Sequence, residues 1–173
     1  MYDGQFPNKR YKHTIAFLQE HISTNERILD LGVTNPFTNV MVKLDYKVTN
    51  TLGEDLDVDT TAVQSDAYDV VTAFEIFEHL LAPFNILKDI KAQKLVASVP
   101  LKLWYANAYQ SKTDEWDRHY HEFEDWQFDW LLEKAGWKIK KSEKFTNPVN
   151  KIGLRPILRR FTPRYYLVYA EKI

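Results

Sequence analysis

Glu75, Glu78 and His79 fall at i, i+3 and i+4, directly after the apolar run Tyr68-Asp69-Val70-Val71-Thr72-Ala73-Phe74. On an α-helix this spacing puts all three side chains on one face. Two carboxylates and an imidazole so placed have two chemistries open to them. They bind a divalent ion such as Mg²⁺, Mn²⁺ or Zn²⁺, or they serve as acid and base towards a bound substrate. The structural alternative is that the cluster fixes the helix and hydrogen-bonds a covering segment without any ion.

Such a cluster needs elements to hold it. The run 68–74 reads as a strand, so the cluster sits at the strand's C-terminal end. Tyr11, Ile15, Leu18 and Ile22 recur at helical spacing within 8–23. Arg27-Ile28-Leu29-Asp30-Leu31-Gly32 is a short apolar run that stops at a glycine, as a buried strand does. Asn35 suits an N-cap and Pro36 the first helical turn, so a helix through about Leu44 follows. Tyr46–Thr51 is a second strand, and the acidic stretch 53–66 has room for one minimal strand but no crossover helix. A helix from Pro83 to Lys91 leads to the strand Lys94–Pro100.

The polar and aromatic segment 101–125 reads as an insertion over an active-site edge. Phe128–Ala135 is helical, with Gly136 as its C′ residue. Strands at Trp137–Phe145 and Tyr165–Glu171 close the chain, joined by an irregular loop, and predict an antiparallel hairpin at one edge. Strands alternating with helices imply a mostly parallel sheet covered on both faces. Ligands of such sheets lie beyond the C-terminal strand ends. That places residues 32–35, 74–79 and 100 onward around one crevice.

With 173 residues, 45% of them apolar, the chain fits one domain, 1–173, with a real core. A formal net charge of −1 argues against nucleic acid as a partner. The absence of cysteine excludes a disulfide framework and any thiolate metal site or nucleophile. Met1–Pro7 has no basic-then-apolar leader pattern, and no apolar run approaches the roughly 20 residues that cross a bilayer. The expectation is a cytoplasmic protein without a membrane span. Nothing in the pattern sets an oligomeric state.

Four segments in order resemble the class I S-adenosylmethionine-dependent methyltransferases, in their compact bacterial branch. They are Ile28–Gly32, Tyr68–His79 with Pro83 following, Leu95–Pro100, and Phe128–Trp137 ending Lys-Ala-Gly-Trp. The likeness runs from about residue 10 to the C-terminus. It implies a Rossmann-like three-layer α/β sandwich with a seven-stranded type of sheet, shortened around the third strand. It also implies S-adenosylmethionine as cofactor.

Asp30 and Gly32 carry over as cofactor contacts. Thr34 stands at the next glycine position of the family's loop and Pro36 near the third, so Thr34 and Asn35 are substitutes rather than matches. Adding a Cβ narrows the loop, and Pro36 removes one N–H donor, although the helix N-terminus still offers others. The family's ribose-binding acid falls by spacing at Leu52. Glu54 or Asp55 can replace it if the loop is re-routed, and Asp57 or Asp59 can serve the adenine side. Phe74 and Glu75 complete the implied cofactor contacts.

The cluster also resembles the Glu-x-x-Glu-His motif of ubiquinone-pathway and small-RNA O-methyltransferases, where it ligates a metal with a further histidine from downstream. Here Asp117-Arg118-His119-Tyr120-His121-Glu122 supplies two candidates. His121 is preferred, because Glu122 and Phe123 beside it resemble the family's lid. The implied metal set is therefore Glu75, Glu78, His79 and His121, and the catalytic candidates are His79, His121 and Glu78.

Among the aromatics, Phe123, Trp126 and Trp130 have helical spacing and are expected to pack on the sheet. Trp104, Tyr105 and Trp116 lean towards a pocket wall. The basic residues Lys151, Arg155, Arg159, Arg160 and Arg164 read as a solvated loop. Function resolves into two hypotheses. One is a methyltransferase acting on a small-molecule or carbohydrate-like acceptor, with O-methylation the first expectation. The other is a non-catalytic relative that keeps the fold as a binding or assembly module. A dinucleotide oxidoreductase would need a full Gly-x-Gly-x-x-Gly turn and an acid after the second strand, and both are missing.

Overall fold

The computed structural model describes residues 6–146 and 153–173, with side chains from residue 9 onward. Its elements are α1 (Phe6–His21), β1 (Arg27–Asp30), α2 (Pro36–Lys43), β2 (Lys47–Asn50), β3 (Val70–Phe74), α3 (Pro83–Asp89), β4 (Lys94–Pro100), α4 (Asp125–Lys134), β5 (Trp137–Phe145), α5 (Leu154–Phe161) and β6 (Tyr165–Lys172). The strands form one sheet in the order β2-β1-β3-β4-β6-β5. β1, β2, β3 and β4 pair in parallel, and β6 runs antiparallel to both β4 and β5.

Two apolar layers hold the helices on the sheet. Ile28, Val70, Val96 and Leu167 face α1 and α2, where they meet Phe17, Leu18, Phe37 and Met41. Leu29, Val71, Leu95 and Val168 face the other way, towards Ile86, Leu87, Phe128, Leu132 and Trp137. The near-continuous burial of β3 and β4 follows from this double cover. Trp137 is fully buried and donates its indole N–H to the Leu87 carbonyl at 2.9 Å. A buried indole needs such a partner.

The expected helices and strands form with small changes at their ends, and Gly136 takes a positive φ of 91° at the C′ position of α4. Three expectations are corrected. The stretch after β2 holds a 3₁₀ turn, Thr61–Gln64, and no strand, so the sheet has six strands. The loop before β6 contains helix α5, whose apolar residues Leu154, Ile157, Leu158 and Phe161 recur at helical spacing, a pattern that marks the helix although Leu154, Ile157 and Phe161 face solvent. Trp126 and Trp130 do not pack on the sheet: they stack edge-on at 4.8 Å and are 44% and 64% exposed. Lys151 lies outside the described residues. Among the described residues, no helix is long and apolar enough to cross a membrane.

Candidate active site

The β1–α2 loop starts with Gly32 at φ 98°, a conformation L side chains rarely adopt. A Cβ there would come within 3.3 Å of Ile76 Cδ1. The Gly32 N–H donates to Thr51 Oγ1 at 2.7 Å, which ties the loop to the end of β2. Asn35 caps α2, its Oδ1 accepting from the N–H groups of Phe37 at 2.8 Å and Thr38 at 3.2 Å. The Asn39 N–H bonds the Asn35 carbonyl, and Pro36 has no N–H to offer. The first turn of α2 is thus satisfied from within, which corrects the expectation that it presents open donors to a ligand carboxylate. Its dipole remains.

Asp30 anchors the loop from below. Its buried carboxylate accepts from Thr72 Oγ1 at 2.7 Å, Asn50 Nδ2 at 3.1 Å and Thr38 Oγ1 at 3.3 Å. Burial pushes this carboxyl up to about 6, against the three hydrogen bonds that favour its charge. Thr34 is exposed, its hydroxyl 3.4 Å from Asn50 Oδ1.

Above Asp30 opens a cleft of about 580 Å³ at the C-terminal ends of β1, β3 and β4. Gly32, Val33 and Asn35 form one wall, Phe74, Ile76 and Ser98 the floor, and Arg10, Tyr11 and Thr14 of α1 the roof. Arg10 was missed in the sequence. Arg10 is one of several polar residues on the amphipathic α1, and its spacing does not set it apart from Lys9, Lys12 or His13. Glu54 and Asp57 do not line this cleft. Glu54 accepts the Leu52 N–H at 2.6 Å within its own turn, while Leu52 itself is 93% exposed. The Asp57 carboxylate takes the N–H groups of Leu81 and Ala82, both at 2.8 Å, just before α3. Its lone pairs go to the helix start, which leaves the adenine-side role expected of it without support.

The Glu75–His79 cluster does not share a helix face. Glu75 has φ 60°, and a 3₁₀ turn covers Phe77–His79. The left-handed kink turns Glu75 back to the sheet, where it accepts from Ser98 Oγ at 2.8 Å and faces Arg10 Nη1 at 3.6 Å. Burial raises its pKa, while Arg10 and Ser98 oppose the rise. Glu78 is buried with no hydrogen-bond partner on Oε2, and burial together with the neighbouring Glu75 raises its pKa well above the usual carboxylate range.

His79 Nδ1 lies 3.0 Å from the Arg118 carbonyl, which makes Nδ1 the protonated nitrogen, and Nε2 sits 3.8 Å from Glu78 Oε1. The downstream histidine brought to this pair is His119 rather than His121. Ligand atoms of Glu78, His79 and His119 lie within 4.8 Å of one another, whereas Nε2 of His121 lies 3.3 Å from the Leu81 carbonyl. Register decides this, because the Glu78 carbonyl accepts the N–H groups of Tyr120 at 2.8 Å and His121 at 3.2 Å. His119 is held neutral, its pKa lowered to about 4 by burial first and by His79 and Arg164 next.

This second pocket meets the cleft at Arg10 and also takes in Tyr109, Asp117, Arg159, Arg164 and Tyr165. Trp104 and Trp116 stay out of it and are 75% and 77% exposed. Tyr109 is the loop aromatic that lines it.

No protein-family model matches the chain, and no curated protein matches it. Solved structures do. An S-adenosylmethionine-dependent methyltransferase from Archaeoglobus fulgidus aligns at TM-score 0.60 and 16% identity, over 94% of each chain. A Burkholderia thailandensis 1,6-didemethyltoxoflavin N1-methyltransferase, solved with 1,6-didemethyltoxoflavin and S-adenosylhomocysteine, aligns at 0.65 and 16%, over 94% of this chain and 77% of that one. The [4+2]-cyclase SpnF aligns at 0.63 and 13%, over 94% and 81%. Six strands in this order, the reversed β6 and a cleft at the C-terminal strand ends agree with those likenesses: the chain has the class I, Rossmann-like methyltransferase fold.

Proposed function

We propose that the chain is an S-adenosylmethionine-dependent methyltransferase of a small-molecule acceptor, with a hydroxyl oxygen as the methylated atom. The observation that carries this reading is the junction of two pockets at Arg10. One is a cofactor-sized cleft beside Gly32 and the other is the Glu78–His79–His119 recess. A cofactor in the first would face an acceptor in the second. Methyl transfer is an in-line displacement, so holding the two reactants in register supplies most of the acceleration. Phe74, Ile76 and Gly32 shape the cofactor side, and Arg10 offers a cation to its carboxylate in place of the closed α2 terminus.

Glu78, His79 and His119 suit a divalent ion. Glu78 Oε2 is buried without a hydrogen-bond partner, and the imidazoles of His79 and His119 lie beside it. An ion there would lower the pKa of an acceptor hydroxyl. Without it, His79 Nε2 is the group placed to take the acceptor's proton, its ring oriented by the Arg118 carbonyl.

The non-catalytic reading has one observation in its favour, namely that the cap of α2 uses its own N–H groups. Calorimetry with S-adenosylmethionine and S-adenosylhomocysteine separates the two. Saturable binding is expected, and a flat titration at about millimolar ligand, where the free energy would be weaker than about −4 kcal/mol, would leave only the binding-module reading. Thermal melts with Mn²⁺ and with chelator test the ion. Saturating metal should stabilise the protein by about 2–3 kcal/mol at a hundredfold excess over Kd. His119→Ala should remove that gain and His121→Ala should keep it. Equal melts with metal and chelator would remove the ion from the proposal.

A further inference from the structure

Beyond the Glu78–His79–His119 recess lies a third cavity, of about 430 Å³, which shares Tyr109, Arg159 and Arg164 with it. Arg155 and Arg159 are one turn apart on α5 and so project from the same side. Arg164 enters from the start of β6, steadied by a bond from its Nη1 to the Leu101 carbonyl at 2.9 Å. Asn107 and Gln110 line the facing wall. That wall is held by the Tyr109 N–H on Glu122 Oε1 at 2.9 Å and by the Tyr109 hydroxyl on Asp117. Three guanidinium groups and one carboxylate, Glu122, line this cavity, while Arg159 and Arg164 also border the recess that holds Glu75, Glu78 and Asp117.

We propose that this cavity anchors a phosphomonoester carried by the small-molecule acceptor, with Arg155, Arg159 and Arg164 on the phosphoryl oxygens and the acceptor's hydroxyl reaching the Glu78–His79–His119 end. The substrate role rests on the methyltransferase reading; the anion site itself does not. A phosphomonoester carries about −1.5 to −2 charges at neutral pH and three strong acceptor oxygens, which suits three lining guanidinium groups better than a single carboxylate does. Arginine forks bind such oxygens two at a time, and the amides of Asn107 and Gln110 add neutral donors. The cavity is larger than a phosphate alone requires, which leaves space for a short carbon skeleton between the anchor and the histidines.

The test is a titration of the whole chain with glycerol 3-phosphate at fixed ionic strength, with glycerol and acetate alongside. Glycerol 3-phosphate should bind saturably, glycerol not at all, and acetate at least about tenfold more weakly. Arg155→Gln and Arg159→Gln should each weaken binding about tenfold, the loss of one charge-assisted contact. Lys138→Gln, an exposed lysine on β5, should leave it unchanged. Arg155 is itself exposed, so its variant keeps the fold even if Arg159→Gln does not.

Equal affinity for acetate, indifference to both arginine changes, or absence of saturation would overturn the site. Binding only to phosphatidic acid vesicles, or only to a 5′-phosphorylated oligonucleotide, would overturn the small-molecule assignment. S-adenosylhomocysteine is titrated on the same preparation. If it binds and glycerol 3-phosphate does not, the inference falls while the proposed function stands; the reverse pattern does the opposite.

Discussion

Gly32→Val is expected to abolish S-adenosylmethionine binding and to cost the fold about 2–3 kcal/mol, the range for a β-branched residue forced into a sparsely populated backbone region. Two effects add. The backbone at φ 98° resists any Cβ, and that Cβ would press on Ile76 Cδ1, which floors the cleft. Gly136→Ala separates them. Gly136 has a similar φ of 91°, yet a Cβ there meets nothing within 4 Å and lies at the end of α4, away from the cleft. It should cost about 1 kcal/mol through strain alone and leave cofactor binding intact. Urea melts and calorimetry on the two variants give the comparison. Retained binding in Gly32→Val would move the cofactor away from this loop.

The second large effect is a pH dependence centred on Asp30. Its folded pKa, about 6, stands above the ordinary value of 3.8. The native state therefore holds this proton more tightly than the unfolded chain. The stability it contributes is fully present below about pH 4 and is lost as pH rises through about 6, a loss of about 3 kcal/mol for two pKa units at a nearly fully buried group. Asp30→Asn has no such titration. The wild-type minus variant difference in unfolding free energy should fall by about 3 kcal/mol between pH 4 and pH 8. A constant difference would mean that Asp30 keeps an ordinary pKa, its hydrogen bonds from Thr72, Asn50 and Thr38 offsetting burial.

The sheet and its edges were legible because their causes are local. Asn35-Pro36 announces a helix start, Gly136 a helix stop, and β3 and β4 carry the continuous apolar runs of doubly covered strands. The site was legible in its residue types but not in its geometry. Glu75, Glu78 and His79 have helical spacing, yet the positive φ at Glu75 breaks the helix before it begins. Helical spacing holds only where the backbone stays in the α region. The choice between His119 and His121 rests on which amides reach the Glu78 carbonyl, a contact across some forty residues that neither segment encodes alone. Helix α5 was legible in the helical spacing of Leu154, Ile157, Leu158 and Phe161, but the basic residues around them read as a solvated loop.

The Glu78 carbonyl, bonded to two consecutive amides of the cover, has a consequence in exchange kinetics. Residues 120 and 121 lie in neither helix nor strand, so on secondary structure alone their amides would exchange with solvent quickly. Fastened to the turn that carries the Glu-His pair, they are expected to exchange slowly for protons in a loop. Their exchange rate measures how often the cover lifts off the recess, and occupancy of the recess should slow both amides together.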